Sequence, residues 1–171
     1  MTSIYRDTGI LCRFGDARAC NPNQNFEGTP DIVLMTDSGA ARVVGEMKTP
    51  WMHDLARTMV NPLRWQIWLG QIAMYMWNAK CTYGFMSTYN QTVFLKQDVD
   101  PSNPNKYALW YSNVIHHNTR AQPVVGANAP AASYRDRVSV KECFLFLELE
   151  IQAGRWQANN PMAADEWYLE G

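Results

Sequence analysis

The sequence predicts an α/β domain, with a mixed central sheet of about four or five strands and at least one helix packed on it. Three observations carry this. Two β-branched apolar runs, residues 31–36 and 42–48, flank the turn residues Asp37, Ser38 and Gly39 and read as a hairpin. Asn61 followed by Pro62 opens a helix that extends to about Ala79. Residues 83–89 and 92–97 then return to strand character on either side of Asn90 and Gln91.

Each element has a local reason. Residues 1–28 are rich in Gly, Asn, Pro and Asp and read as irregular, apart from a short strand near residues 10–14. Both hairpin strands are apolar on both faces over part of their length, which predicts a central, covered position in the sheet. Asn is a good cap and Pro suits the first helical position, so the helix start is well marked. That helix is apolar almost all round and is expected to be buried. Residues 98–105 read as a polar, Pro-containing loop, 107–115 as a further strand and 121–133 as a linker. Residues 138–153 read as a second helix ended by Gly154. Residues 159–171 carry no clear pattern, and no internal repeat is visible.

Composition bounds the function. The 171 residues are 47% hydrophobic and 18% charged and include seven Trp, which fits one folded domain rather than a disordered chain. No segment approaches the roughly 20 apolar residues of a membrane span; the most apolar, 65–77, contains Gln66 and Gln71. Residues 1–16 carry Arg6, Asp7 and Arg13 without an apolar h-region, so the expectation is an intracellular protein, the nucleus included. Cys12, Cys20, Cys81 and Cys143 lack CxxC spacing, so they read as small hydrophobes rather than zinc ligands. The net charge of −1 is uneven. Arg42, Lys48, Arg57, Arg64, Lys80 and Lys96 face only Glu46 and Asp54 in the middle, whereas the last thirty residues are acidic.

The chemistry concentrates at Asp31 and at Glu46-Met47-Lys48. Strand alternation places Glu46 and Lys48 on one face and Met47 on the other. Folding the hairpin about Ser38-Gly39 sets Asp31 opposite residue 46, 47 or 48. In two of these three registers it shares the face of Glu46 and Lys48. Two carboxylates and an ammonium at the end of an apolar sheet are costly without a cation or ligand. Asp31, Glu46 and the backbone carbonyl of Met47 are suitable hard oxygen ligands for Mg²⁺ or Mn²⁺. Lys48 is placed to orient or help deprotonate an attacking water.

Pro30-Asp31, Glu46-Met47-Lys48 and the helical Gln71-Ile-Ala-Met-Tyr75 together resemble the PD-(D/E)XK nuclease superfamily. They match its PD, (D/E)XK and QxxxY elements, the last typical of the RecB-type branch, and the wording GEMKTPW is similar to nuclease-like domains of fungal proteins. The resemblance covers residues 29–97 of what reads as a single domain, 1–171. It implies a restriction-endonuclease-like core and Mg²⁺-dependent hydrolysis of DNA phosphodiester bonds. Asp31, Glu46 and Lys48 would be catalytic, with Gln71 and Tyr75 positioning the substrate backbone. Helical periodicity extends that stripe to Arg64 and Asn78. The family's acidic residue before the PD strand has only Glu27 as a counterpart, in a loop. Nucleic acid, DNA first, is the implied partner, with a second copy of the chain or a larger multidomain parent as further assemblies and no membrane.

Three other readings compete. A nuclease-like module without catalysis would bind nucleic acid or a protein partner through the same scaffold, and an aromatic-lined small-molecule binder rests only on the Trp count. At the level of residues, Asp31, Glu46 and Lys48 alone would be a surface ion-pair cluster. Gln71 and Tyr75 would then be a wet stripe, unless Gln66, Gly70 and Lys80 on the opposite side are the wet one. Trp65, Trp68 and Trp77 read as core, and Trp51 as the candidate for base stacking. His116 and His117 point to opposite faces of a strand, and residues 135–137 read as a solvated turn.

Overall fold

A computed structural model describes residues 12–20, 28–120 and 137–168. Its elements are strands β1 (Cys12–Gly15), β2 (Ile32–Thr36), β3 (Ala41–Met47), β4 (Tyr83–Ser87), β5 (Gln91–Asp100), β6 (Asn103–Tyr111) and β7 (Ile115–His116). The helices are α1 (Leu55–Met59), α2 (Pro62–Asn78), α3 (Val140–Gln152) and α4 (Ala164–Tyr168). Glu27 and the expected linker at 121–133 lie outside the described residues, as do Arg135 and Asp136; Arg137 is exposed in a turn.

The chain is mixed α/β, as its patterning predicts, but among the described residues the sheet has seven strands rather than four or five. Its order is β1-β2-β3-β4-β5-β6, with β7 paired to β5. Every pairing is antiparallel except β3 with β4. A parallel pair needs a long crossover, and α1 and α2 supply it.

β2 and β3 form the expected hairpin, with Gly39 at φ 78° in its turn, a left-handed conformation that suits glycine. Their register pairs Ile32 with Gly45 and shifts between Leu34 and Met35, where β3 holds one extra residue. Alternation then splits the core. Val33, Met35 and Val44 face α2, among Trp65, Ile72 and Met76, while Leu34 and Val43 face Phe85 and, on α3, Leu147 and Ile151. The covered, central position expected for the hairpin is thus observed.

Gly45 sits under a ring. A Cβ there would lie 2.3–2.7 Å from Phe85 ring atoms, and Phe85 is wedged by Phe144 at a centroid distance of 5.0 Å. Phe14 and Phe94 also pack near the ring, so its retreat would displace neighbours. Gly45→Ala is expected to cost about 1–3 kcal/mol of stability by overpacking, read from urea unfolding.

α2 begins as its sequence signals: the Asn61 side chain accepts the Arg64 amide, and Pro62 takes the first helical position. It is not buried all round. Leu63 and Ile67 are each 67% exposed, because they lie on the opposite side of the helix from the core residue Trp65. Residues 98–105 do not form a loop. Lys96 pairs with Asp98 along β5, and Asp100 accepts the amide and hydroxyl of Ser102, closing a tight β5–β6 hairpin. α1 and α4 are additional to the expected elements; α3 starts two residues late, on a Ser139/Glu142 capping box.

A buried acid on α3 is expected to make stability depend on pH. Glu148 on α3 is 1% exposed and its Oε2 has no hydrogen-bond partner. Burial pushes its carboxyl up to about 7. The folded form therefore binds the proton more tightly than the unfolded chain. The resulting stability is complete below the ordinary glutamate pKa and is lost as pH rises through about 7. Glu148→Gln is expected to remove roughly 3 kcal/mol of this pH dependence. Urea midpoints of the two proteins at pH 5 and pH 8 check it.

Candidate active site

The end of β3 brings the predicted residues together. The register pairs Ile32 with Gly45, so Asp31 adjoins Glu46 across the hairpin, on the face toward α2. Asp31 Oδ2 accepts the Met47 amide at 2.9 Å, which fixes its carboxylate at the strand end. Lys48 follows on the same face as Glu46, and its amide donates to Ser87 of β4. The parallel neighbour β4 thus ties down the backbone of the motif's last residue, just past the end of β3.

α2 completes the cluster from above. Lys48 Nζ donates to Glu46 Oε1 and to Gln71 Oε1, each at 2.8 Å. Gln71 Nε2 donates to Glu46 Oε1 at 2.9 Å and to Tyr75 Oη at 3.1 Å. Gln71 is therefore the joint between strand and helix, spending both ends of its amide on the cluster. Tyr75 is 5% exposed, covered by the chain at Gly28, where φ is +81° and a Cβ would lie 3.0 Å from the tyrosine ring. The solvent-facing reading of the Gln71 stripe fails: Gln66 and Lys80, on the other side, are the exposed residues.

The electrostatics are unbalanced. Glu46 is 6% exposed, and its Oε2 is buried without any hydrogen-bond partner. Burial pushes the Glu46 carboxyl above the ordinary glutamate range, even though Lys48 and Gln71 pull it down; Asp31 adds a further push upward. Burial likewise raises the Tyr75 phenol. A buried carboxylate with one lone-pair set facing nothing is what a hard cation satisfies, and Asp31 supplies the neighbouring oxygen. Among the described residues no group of three or more His, Cys, Asp or Glu side chains is placed to hold a metal ion. A cation at this position would therefore rest on two carboxylates, with the Met47 carbonyl as the expected third ligand.

Two expected members stand apart. Arg64 is exposed near the start of α2, and no hydrogen bond or ion pair joins it to Glu46, Lys48 or Gln71. Asn78 lies at the other end of the helix, beside a cavity of about 320 Å³ lined by Lys80 and Gln97, so the stripe is not one continuous polar line. Trp65 is core, and Trp68 packs against it. Trp77 is partly buried and donates to the Met162 carbonyl. His117 makes a structural contact to Thr92 Oγ1 at 2.8 Å, although it and its neighbour His116 are both exposed.

Sequence reasoning missed Gln91. Its side chain accepts the Leu55 amide at 2.7 Å and donates to Asp54 at 3.0 Å, tying the start of α1 to β5. A lone Gln at a strand start carries no signal of that role.

Comparison with protein-family models, curated proteins and solved structures returns no match to this chain. Among the described residues no helix is long and apolar enough to cross a membrane.

Proposed function

We propose that the protein is a metal-dependent nuclease of the PD-(D/E)XK type, hydrolysing phosphodiester bonds of nucleic acid, DNA first. The single observation that carries this reading is the buried, unpartnered Glu46 Oε2 beside Asp31. A surface ion-pair cluster would leave no such oxygen, because water would satisfy it. Three motifs in order on strand, strand and helix, all converging at one strand end, support the same reading and the restriction-endonuclease-like core that accompanies it.

Asp31 and Glu46 would hold Mg²⁺ or Mn²⁺, which supplies Lewis-acid neutralisation of charge on the phosphoryl oxygens and a more acidic water. The remaining work belongs to the chain. The Lys48 ammonium orients the attacking water and stabilises negative charge as the P–O bond to the leaving group breaks. Gln71 fixes Lys48 and Glu46 relative to each other, so neither must reorganise when substrate arrives. Tyr75, buried under the chain at Gly28, anchors Gln71 rather than meeting the substrate itself.

Incubating purified protein with single- and double-stranded DNA and with RNA in Mn²⁺ tests the proposal. Cleavage that EDTA stops and salt weakens is the expected result. Intact substrates throughout would leave the non-catalytic module as the reading of this scaffold.

A further inference from the structure

Two residues beyond Lys48 the chain enters a cavity of about 510 Å³ between the 50–54 turn and the starts of α1 and α2. Trp51, His53, Asp54, Arg57, Asn61 and Arg64 are among its lining residues. The turn is built to hold its shape: the Met52 and His53 amides both donate to the Thr49 carbonyl. His53 Nδ1 contacts the Thr49 hydroxyl and carbonyl, and its ring packs on Trp68 with centroids 5.0 Å apart. On the other side Gln91 ties Asp54 and Leu55 to β5. From this braced turn Trp51 projects with 80% of its surface exposed.

The charges of the cavity favour an anion. Arg57 and Arg64 are exposed, and among the described residues neither belongs to an ion pair. The one carboxylate there, Asp54, is held well ionised but is engaged by the Gln91 side chain and the Arg57 amide. Two guanidinium groups outside any described ion pair, Arg57 within the field of Asp54, stand beside an open indole face and combine phosphate contact with base stacking. An indole can stack only on a base that is not already sandwiched in a duplex.

We infer that this cavity seats an unpaired stretch of nucleic acid, with Arg57 and Arg64 on the phosphates and a base on Trp51, leading the strand toward Glu46 and Lys48. The choice of ligand rests on the nuclease reading, but the binding itself needs no catalysis. The test is fluorescence anisotropy of labelled oligothymidine with the full chain in EDTA, where no cutting occurs. Oligothymidine is expected to bind at least about tenfold more tightly than a duplex of equal length. Trp51→Ala is expected to weaken binding roughly fivefold to a hundredfold. Arg57→Gln with Arg64→Gln is expected to flatten the log K against log salt slope by about 1.4, about 0.7 per phosphate contact. All three side chains are exposed, so the variants should keep the parent's unfolding curve. Wild-type-like binding by both variants, a preference for duplex, or no binding by the parent chain would overturn the inference. Glu46→Gln separates the two ideas: it should bind oligothymidine like the parent, and loss of cleavage alone leaves the cavity's role intact.

Discussion

Glu46→Gln is expected to reduce cleavage about 10³-fold or more while leaving the protein as stable as the parent, or more so. The substitution keeps shape and volume, and a Gln oxygen can still accept from Lys48 as Glu46 Oε1 does at 2.8 Å. It removes the negative charge that a divalent cation requires. A cation contributes several kcal/mol to a phosphoryl-transfer barrier, and each 1.36 kcal/mol is a factor of ten in rate. Stability moves the other way because the parent buries a carboxylate oxygen with no partner. The Glu46 pKa is raised in the fold, so its stabilising contribution is complete at acid pH and is lost as pH rises through the folded value. Glu46→Gln deletes that loss, and its advantage over the parent should grow with pH. Initial cleavage rates in Mn²⁺ and urea midpoints at acid and alkaline pH measure both halves.

Lys48→Met is expected to be damaging in both respects. Only 14% of the Lys48 side chain and 7% of the Glu46 side chain are exposed, so the pair is shielded from solvent. Removing the ammonium leaves the Glu46 charge buried against Asp31, a loss of about 3–5 kcal/mol at neutral pH. Lys48 is also the strongest influence holding the Glu46 carboxyl down against burial. Its loss sends that carboxyl higher still, so the destabilisation should shrink on acidification, as Glu46 takes up a proton. Adding Glu46→Gln to Lys48→Met should restore most of the stability and none of the activity. A double-mutant cycle in urea separates this coupling from simple loss of packing.

Much of the site was legible because its motifs sit on elements with strong local signals. The hairpin declares itself by β-branched runs around Asp37-Ser38-Gly39, and α2 by Asn61-Pro62. Register was not legible. The turn admits three pairings of Asp31, and the extra β3 residue opposite Leu34 and Met35, which settles the pairing, has no sequence mark. Residues 98–105 misled because Asp and Pro signal turns; here Pro101 sits in the turn itself and Pro104 on β6, at the outer end of the sheet path, where a missing amide is tolerated. Periodicity placed Arg64 with Gln71 and Tyr75, but it does not say what lies beside each turn: Gln71 meets Glu46 and Lys48, whereas Arg64 lines the Trp51 cavity. The five-residue α1 and α4 are too short for a hydrophobic period to reveal.

The central claim is that Asp31 and Glu46 jointly hold one divalent ion. Isothermal titration of the full chain with Mn²⁺ tests it most directly. One saturable site is expected in the parent, abolished by Glu46→Gln and by Asp31→Asn but retained by Trp51→Ala. Equal heats from the parent and from both carboxylate variants, or no binding by the parent, would contradict it.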